Sequence, residues 1–267
     1  MRDINCAIIG GSGLYELDNF NIVKKIPMNT PYGSPSDEIT IYEDGGKKFA
    51  FIPRHNKDHT IPPHKIPYKA NIYALNKLGV KNIYSTCIAG SLKKSILPGS
   101  FVIIDQIVDF TWGRDDYFEV DKNFKHIAFA SPFCSHLKDQ VIKACKKQGV
   151  KSKNKGTAVI IQGPRFSTLA ESLFYMSNGW DIINMTQYPE AYFAREFGMC
   201  YSTLAMITDY NPGVLEKFQM KRKNADSIKK ILNNSIDSCK SILHLLVQDD
   251  QNHKCTECYF ESYLEKL

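Results

Sequence analysis

Short runs rich in β-branched and aromatic residues alternate along this chain with segments of helical periodicity, and that alternation restricts its fold more than any other feature. The β-rich runs are CAIIGG (6–11), EITIYE (38–43), KFAFIPR (48–54), NIYSTCIAG (82–90), SFVIIDQIVDF (100–110), GTAVIIQG (156–163), DIINM (181–185) and CYSTLAMIT (200–208). Helical patterns fill 65–79, 135–149, 168–179 and 188–198. A longer one runs from about Asn224 to Val247, with Ile228, Ile231, Leu232, Ser235, Cys239 and Ile242 at helical spacing. Several strands are apolar throughout, as a strand is when both faces of its sheet are covered. The pattern predicts an α/β class fold, a single-domain mixed, mostly parallel sheet flanked by helices. No linker or repeat divides residues 1–248, and 249–267 read as a mobile C-terminal tail.

The 267 residues are 43% hydrophobic and 23% charged, enough for a sizeable core. The net charge of +6 is spread over short lysine clusters, densest at 143–155 and 217–223. Neither cluster interleaves aromatics as a nucleic-acid platform does, so both read as solvated surface and no nucleic-acid partner is expected. No apolar run approaches the ~20 residues of a membrane span and the first residues are not a signal peptide, so a cytoplasmic location without membrane contact is expected. Of eight cysteines, Cys6, Cys87 and Cys200 lie in apolar segments and read as reduced core thiols. Cys255 and Cys258 form a CxxC pair in the tail. A structural zinc needs four ligands and no second pair exists, so a tail disulfide or idle thiols is the expectation.

Polar and chemically capable residues recur where strands stop. IIGGSGLY (8–15) follows a strand with three glycines and Ser12, either a tight turn or an anion site of backbone N–H groups. It is not a dinucleotide fingerprint, because Glu16 occupies the third glycine position, nor a Walker loop or a nucleophile elbow. Arg54 ends a strand, where a guanidinium can fork onto phosphate or carboxylate. His55, His59 and His64 follow it, but Pro62 and Pro63 break any shared helical face, so loop or substrate contacts are expected and metal is not. QGPRFSTLAES (162–172) offers Phe166 and Ser167 before a helix, and NMTQYPE (184–190) offers Met185 and Thr186. MITDYNPG (206–213) carries Asp209 and Asn211 into what reads as a Pro-Gly turn. Ligands bind open α/β sheets at the carboxyl ends of strands, so Ser12, Arg54, the 86–90 loop, Met185, Thr186 and Asp209 point to one site for an anionic, polar ligand.

These motifs in order, together with TPYGSPSD, GSFVIIDQIVDFT and ASPFC, make the chain resemble the trimeric purine nucleoside phosphorylases, and among them the methylthioadenosine phosphorylases, to about Val247. The resemblance implies phosphate-dependent cleavage of an N-glycosidic bond, with inorganic phosphate as co-substrate and no metal or organic cofactor. It implies that Ser12, Arg54, His55 and Thr186 bind phosphate, that Met185 lies along the ribose, and that Phe166 faces the purine. His126 is expected to reach the 5' side of a neighbouring subunit's ligand in a homotrimer or hexamer. Asp209, as the catalytic acid, is expected to face N7 of the base, where burial would raise its pKa.

Four positions depart from the pattern of that family. Asn211 stands where a second acid is usual, and an amide there can accept from an adenine amino group or donate to O6 of a 6-oxopurine. Cys87 and Ile88 replace a usual hydroxyl. Lys229 stands where an apolar residue commonly lines the methylthio pocket, although an outward-facing lysine is the simpler reading. A protonated Asp209 complements adenine, favouring methylthioadenosine. The alternatives are a phosphorylase of 6-oxopurine nucleosides (methylthioinosine, inosine, guanosine), a hydrolytic nucleosidase, and a non-catalytic purine-nucleoside binding protein.

Overall fold

The computed structural model describes residues 4–118 and 126–249, together with Cys255 and Cys258. Nine strands form its sheet: β1 (Cys6–Gly10), β2 (Asn21–Ile26), β3 (Ile39–Asp44), β4 (Lys47–Pro53), β5 (Asn82–Ser91), β6 (Phe101–Phe110), β7 (Ser152–Ile161), β8 (Ile182–Asn184) and β9 (Cys200–Tyr210). Their order is β2-β3-β4-β1-β5-β8-β7-β6-β9. β1 lies parallel to β4 and β5, β5 parallel to β9, and β7 parallel to both β6 and β8. The β2–β3, β3–β4, β5–β8 and β6–β9 pairs are antiparallel. Because β9 bonds to both β5 and β6, the second half of the sheet closes on itself.

Six helices cover this sheet: α1 (Tyr68–Lys77), α2 (Ser135–Lys147), α3 (Leu169–Ser177), α4 (Gln187–Glu196), α5 (Pro212–Lys217) and α6 (Ala225–Asp249). The unbroken apolar run of β1 has a direct cause, since successive side chains point to opposite faces and both faces are covered. Ala7 and Ile9 join a core with Ile72 and Leu75 of α1 and Ala191 and Ala194 of α4. Cys6 and Ile8 join a second core with Leu137 and Val141 of α2 and Cys239, Ile242 and Leu246 of α6. At α3 the sequence STLAES sets the start: Thr168 accepts from the Glu171 N–H while the Glu171 side chain accepts from the Thr168 N–H.

The sheet and its helices agree with the expected architecture, and the differences have physical reasons. β2 carries no buried face: it is an edge strand with Lys24 and Lys25 on it, so no hydrophobic alternation marks it. Residues 86–90, read as a loop, lie inside β5, which continues to Ser91. Pro212 and Gly213 do not make a free turn, because Pro212 opens α5 at its first position, where its missing N–H costs nothing. Cys258 in the tail is buried within the second core. Among the described residues no helix is long and apolar enough to cross a membrane.

Phe49, fully buried, stacks on Tyr42 and meets Phe20 edge-on. Phe49→Ala is expected to lower unfolding free energy by about 3–5 kcal/mol, whereas Val23→Ala on exposed β2 should change it by less than ~0.5 kcal/mol. Urea denaturation of the two variants checks this, and equal losses would contradict the core assignment.

Candidate active site

Parallel pairing sets the ends of β1, β4, β5 and β9 along one edge of the sheet. A cavity of about 1170 Å³ opens there and is lined by Ser12, Arg54, His55, Phe166, Met185, Thr186, Asp209 and Asn211. Residues far apart in the chain, such as Ser12 and Asn211, thus share one wall system. His126 is exposed and does not line the cavity of its own chain.

The end that carries positive charge is built around a fully buried guanidinium. Arg54 Nε donates to Glu190 Oε2 at 2.7 Å and Nη2 donates to Glu190 Oε1 at 2.8 Å, a two-pronged fork. Nη2 also donates to Ser85 Oγ at 2.7 Å, and Nη1 to the Thr86 carbonyl at 2.9 Å. Four of the five N–H groups of the fork are thereby committed, and one on Nη1 remains. Burial alone would push the guanidinium pKa down, but the charge and hydrogen bonds of Glu190 outweigh it and hold the group ionised. Glu190 in turn receives the Tyr201 hydroxyl, 2.6 Å from Oε1.

The glycine loop closes over this guanidinium. Leu14 N–H donates to the Gly11 carbonyl at 3.0 Å, and Gly11 N–H is committed to Thr86 Oγ1 at 3.1 Å. A Cβ on Gly11 would fall 2.5 Å from the Thr86 carbonyl oxygen and 3.1 Å from Arg54 Nη1, so only glycine fits between loop and strand. His55 follows Arg54, with its Nδ1 2.8 Å from the Ile61 carbonyl. Burial pushes its pKa down to about 4, with neighbouring Arg54 adding to the fall, so the ring is neutral near pH 7. With Nδ1–H donating to Ile61, Nε2 is left as an acceptor for a P–OH group. Thr186 immediately precedes α4 and donates to Asn184 Oδ1 through both N–H (2.7 Å) and hydroxyl (3.2 Å). Asn184 Nδ2 donates to the Ile88 carbonyl at 2.8 Å, which locks α4 to β5.

The other end holds Asp209, Asn211, Phe166 and Met185. Along β9 the pairing with β5 skips Thr208, matching Ala89 to Ile207 but Gly90 to Asp209. Such a bulge re-aims the side chains beyond it. Burial raises the Asp209 pKa; the Thr208 hydroxyl, donating to Oδ1 at 2.8 Å, and the charge of Arg222 only partly offset this. Asn211 Oδ1 accepts from the Ser172 hydroxyl, whose oxygen accepts from Gly213 N–H at 2.8 Å. Of the two roles considered from the sequence, acceptor and donor, the donor is the one left to Nδ2 with Oδ1 so engaged. Phe166 is 76% exposed, an aromatic face available for stacking. Gly163, at φ +63°, lets Met185 approach: a Cβ there would stand 2.6 Å from the Met185 sulfur.

Apolar wall residues complete the cavity. Leu215, Met220, Ile228 and Leu232 line it, whereas Lys229 on α6 is exposed and points away. Cys87 and Ile88 line it from β5, and burial pushes the Cys87 thiol up to about 12, so it offers no charge. Sequence reasoning missed Glu190, Ser85, Asn184 and Ser172. The signal for Glu190 was available: an arginine at the end of a buried strand requires a buried carboxylate, and YPE lies in the segment already singled out. The others hold their neighbours by hydrogen bonds across the fold, which no local pattern records.

The description "Phosphorylase superfamily" matches residues 5–246. The chain is 41% identical over 258 residues to an S-methyl-5'-thioadenosine phosphorylase of Thermofilum pendens, covering 97% of each. It is 43% identical to the enzyme of that name from Saccharolobus solfataricus, over 90% of this chain and 88% of that one. Among solved structures, methylthioadenosine phosphorylase from Schistosoma mansoni in complex with adenine superposes with a TM-score of 0.85 at 33% identity, covering 92% of this chain and 91% of that one. An S12T variant of the Schistosoma enzyme in complex with methylthioadenosine superposes equally, at 0.85 and 32% identity, over 92% and 91% of the two chains. Matched over nearly the whole length of such relatives, this chain belongs to the phosphorylase superfamily and, within it, to the S-methyl-5'-thioadenosine phosphorylases.

Proposed function

We propose that this protein uses inorganic phosphate to cleave the N-glycosidic bond of 5'-methylthioadenosine, releasing adenine and 5-methylthioribose 1-phosphate, a step of purine and methionine salvage. One observation carries the reading: a single cavity holds a buried, permanently charged guanidinium at one end and a carboxyl of raised pKa at the other. As the C1'–N9 bond breaks, its electron pair moves to the purine and the sugar becomes cationic. Phosphate held by Ser12, Arg54, His55 and Thr186 offsets that positive charge and attacks C1'. Asp209 delivers its proton to N7 of the leaving base, which Phe166 faces, while Met185 lies along the ribose. Leu215, Met220, Ile228 and Leu232 suit the apolar 5'-methylthio group, and the outward Lys229 removes the sequence's objection to it.

A second reading rests on Asn211. With Oδ1 committed to Ser172, its N–H pair complements O6 of a 6-oxopurine better than the adenine amino group. Slower turnover of methylthioinosine is therefore expected beside that of methylthioadenosine.

The oligomer is, on this reading, a trimer or a pair of trimers. Two observations support it: His126 is exposed and lies outside its own chain's cavity, and Trp112 (73% exposed), Leu169 and Phe174 present apolar surface. Light scattering should return at least the trimer mass, and His126→Ala should raise KM for the nucleoside more than KM for phosphate. A fully active monomer would refute the shared site.

Product release from methylthioadenosine and methylthioinosine, with and without phosphate, tests the reaction. Adenine should appear only with phosphate, and faster than hypoxanthine. Asp209→Asn should lower kcat on methylthioadenosine by about 10²–10⁴-fold, shift preference toward methylthioinosine, and abolish the alkaline fall in kcat/KM. The sign follows from chemistry: Asp209 acts protonated, so a raised pKa carries activity to higher pH and loss sets in as pH rises through it. Equal rates without phosphate would mark a hydrolase, and binding without turnover would mark a carrier.

A further inference from the structure

Outside the lining of the cavity, the fold gathers four cysteines that the sequence separates. Cys134 precedes α2 as its N-cap residue, Cys200 is the first residue of β9, and Cys255 and Cys258 follow α6. Their four sulfurs all lie within 4.8 Å of one another. Cys134, Cys200 and Cys258 are buried and Cys255 is half-buried. We propose that this cluster is a structural zinc site in which four thiolates hold one Zn²⁺ and fasten the C-terminal tail to the start of β9 and of α2.

Geometry is the first argument. A tetrahedral Zn²⁺ with Zn–S bonds of about 2.3 Å sets its ligand sulfurs about 3.8 Å apart. Cys134 Sγ and Cys255 Sγ are separated by 3.9 Å, a ligand spacing and far from the ~2.05 Å of a disulfide. Local chemistry favours thiolates here. Cys134 faces the positive end of the 13-residue helix α2. Cys258 N–H donates to Cys255 Sγ at 3.3 Å, the charge-stabilising bond that a CxxC turn supplies to its first ligand.

The backbone around the two chain-internal cysteines is fixed. Cys134 N–H donates to the Tyr201 carbonyl at 2.9 Å and Cys200 N–H donates to the Lys81 carbonyl at 2.8 Å. Half of the ligand set is thus preorganised, and the CxxC turn closes it. Binding balances as Zn²⁺ plus four thiols giving the tetrathiolate and four released protons, with no change of oxidation state. Two disulfides from the same thiols would need a four-electron oxidant that nothing in the established reaction supplies. Read as a sequence, the CxxC lacked a second pair; the fold supplies the missing ligands singly, from two distant elements.

The site is separate from catalysis. Cys200 opens β9 and Asp209 lies nine residues along it, about 30 Å away at the rise of a strand. Zinc is therefore expected to govern stability and not the chemical step.

Elemental analysis of the full chain, purified under reducing conditions without added metal, should find about one zinc per chain. The double variant Cys255→Ser, Cys258→Ser, whose changes leave the body of the sheet intact, should lose at least about nine-tenths of it, melt at lower temperature, and keep its kcat at low temperature. Titrating metal-stripped wild-type chain with Co²⁺ should give the visible absorption of tetrahedral cobalt–thiolate, displaced by Zn²⁺. Zinc-free protein whose intact mass shows two disulfides would overturn the proposal. So would four freely reactive thiols with no cobalt spectrum, or a double variant that retains its zinc.

Discussion

Arg54 and Glu190 form an ion pair with side chains 0% and 1% exposed, and the rest of the site is arranged around it. A guanidinium in that position is untenable alone, since removing one partner of a buried pair typically costs about 3–5 kcal/mol. Other elements also meet the guanidinium: from β5, Ser85 at Nη2 and Thr86 at Nη1, and through Glu190 of α4 the hydroxyl of Tyr201 on β9. In the same network Gln187 Oε1 accepts from Thr203 at 2.6 Å and lies 2.7 Å from the Tyr201 hydroxyl oxygen. One charge pair therefore ties the end of β4 to the middle of β5, to α4 and to the start of β9.

That arrangement divides the cavity chemically. Most of the positive charge of Arg54 is spent on structure, leaving one N–H and a field directed past Gly11. Ser12, His55 and Thr186 line the rest of that end. At the far end, burial makes Asp209 a better proton carrier while Asn211 is turned by Ser172 to present donors. Between them the walls are largely apolar, which weakens competition by water for every charge inside. The polar and apolar ends suit opposite halves of one substrate pair, phosphate and a 5'-thio nucleoside.

Most of the architecture was legible because β1, β5 and β9 are buried on both faces and so appear as unbroken apolar runs. Ser12, Arg54, Thr186 and Asp209 stood out because each sits where such a run stops. What escaped was everything settled by distance in the chain. β2 is exposed and carries no hydrophobic face, and the second pairing of β9 that closes the sheet leaves no mark on its own sequence. Asn211 looked like half of a turn; its partner Ser172 lies 39 residues earlier, so which end of its amide faces the cavity could not be read. The cysteines make the same point, because a ligand set was sought as neighbouring pairs and the fold assembled it from Cys134, Cys200 and the tail.

The central claim is that the Arg54–Glu190 pair builds a phosphate site and not merely a stable core. The most direct measurement is the phosphate KM of Arg54→Lys, a variant that keeps the charge but loses the fork, taken beside its nucleoside KM and its melting temperature. On this account the phosphate KM rises at least about tenfold, the cost of roughly 1.4 kcal/mol of a lost charged contact, while nucleoside KM changes little in the folded variant. An unchanged phosphate KM, or equal rises for both substrates, would contradict it.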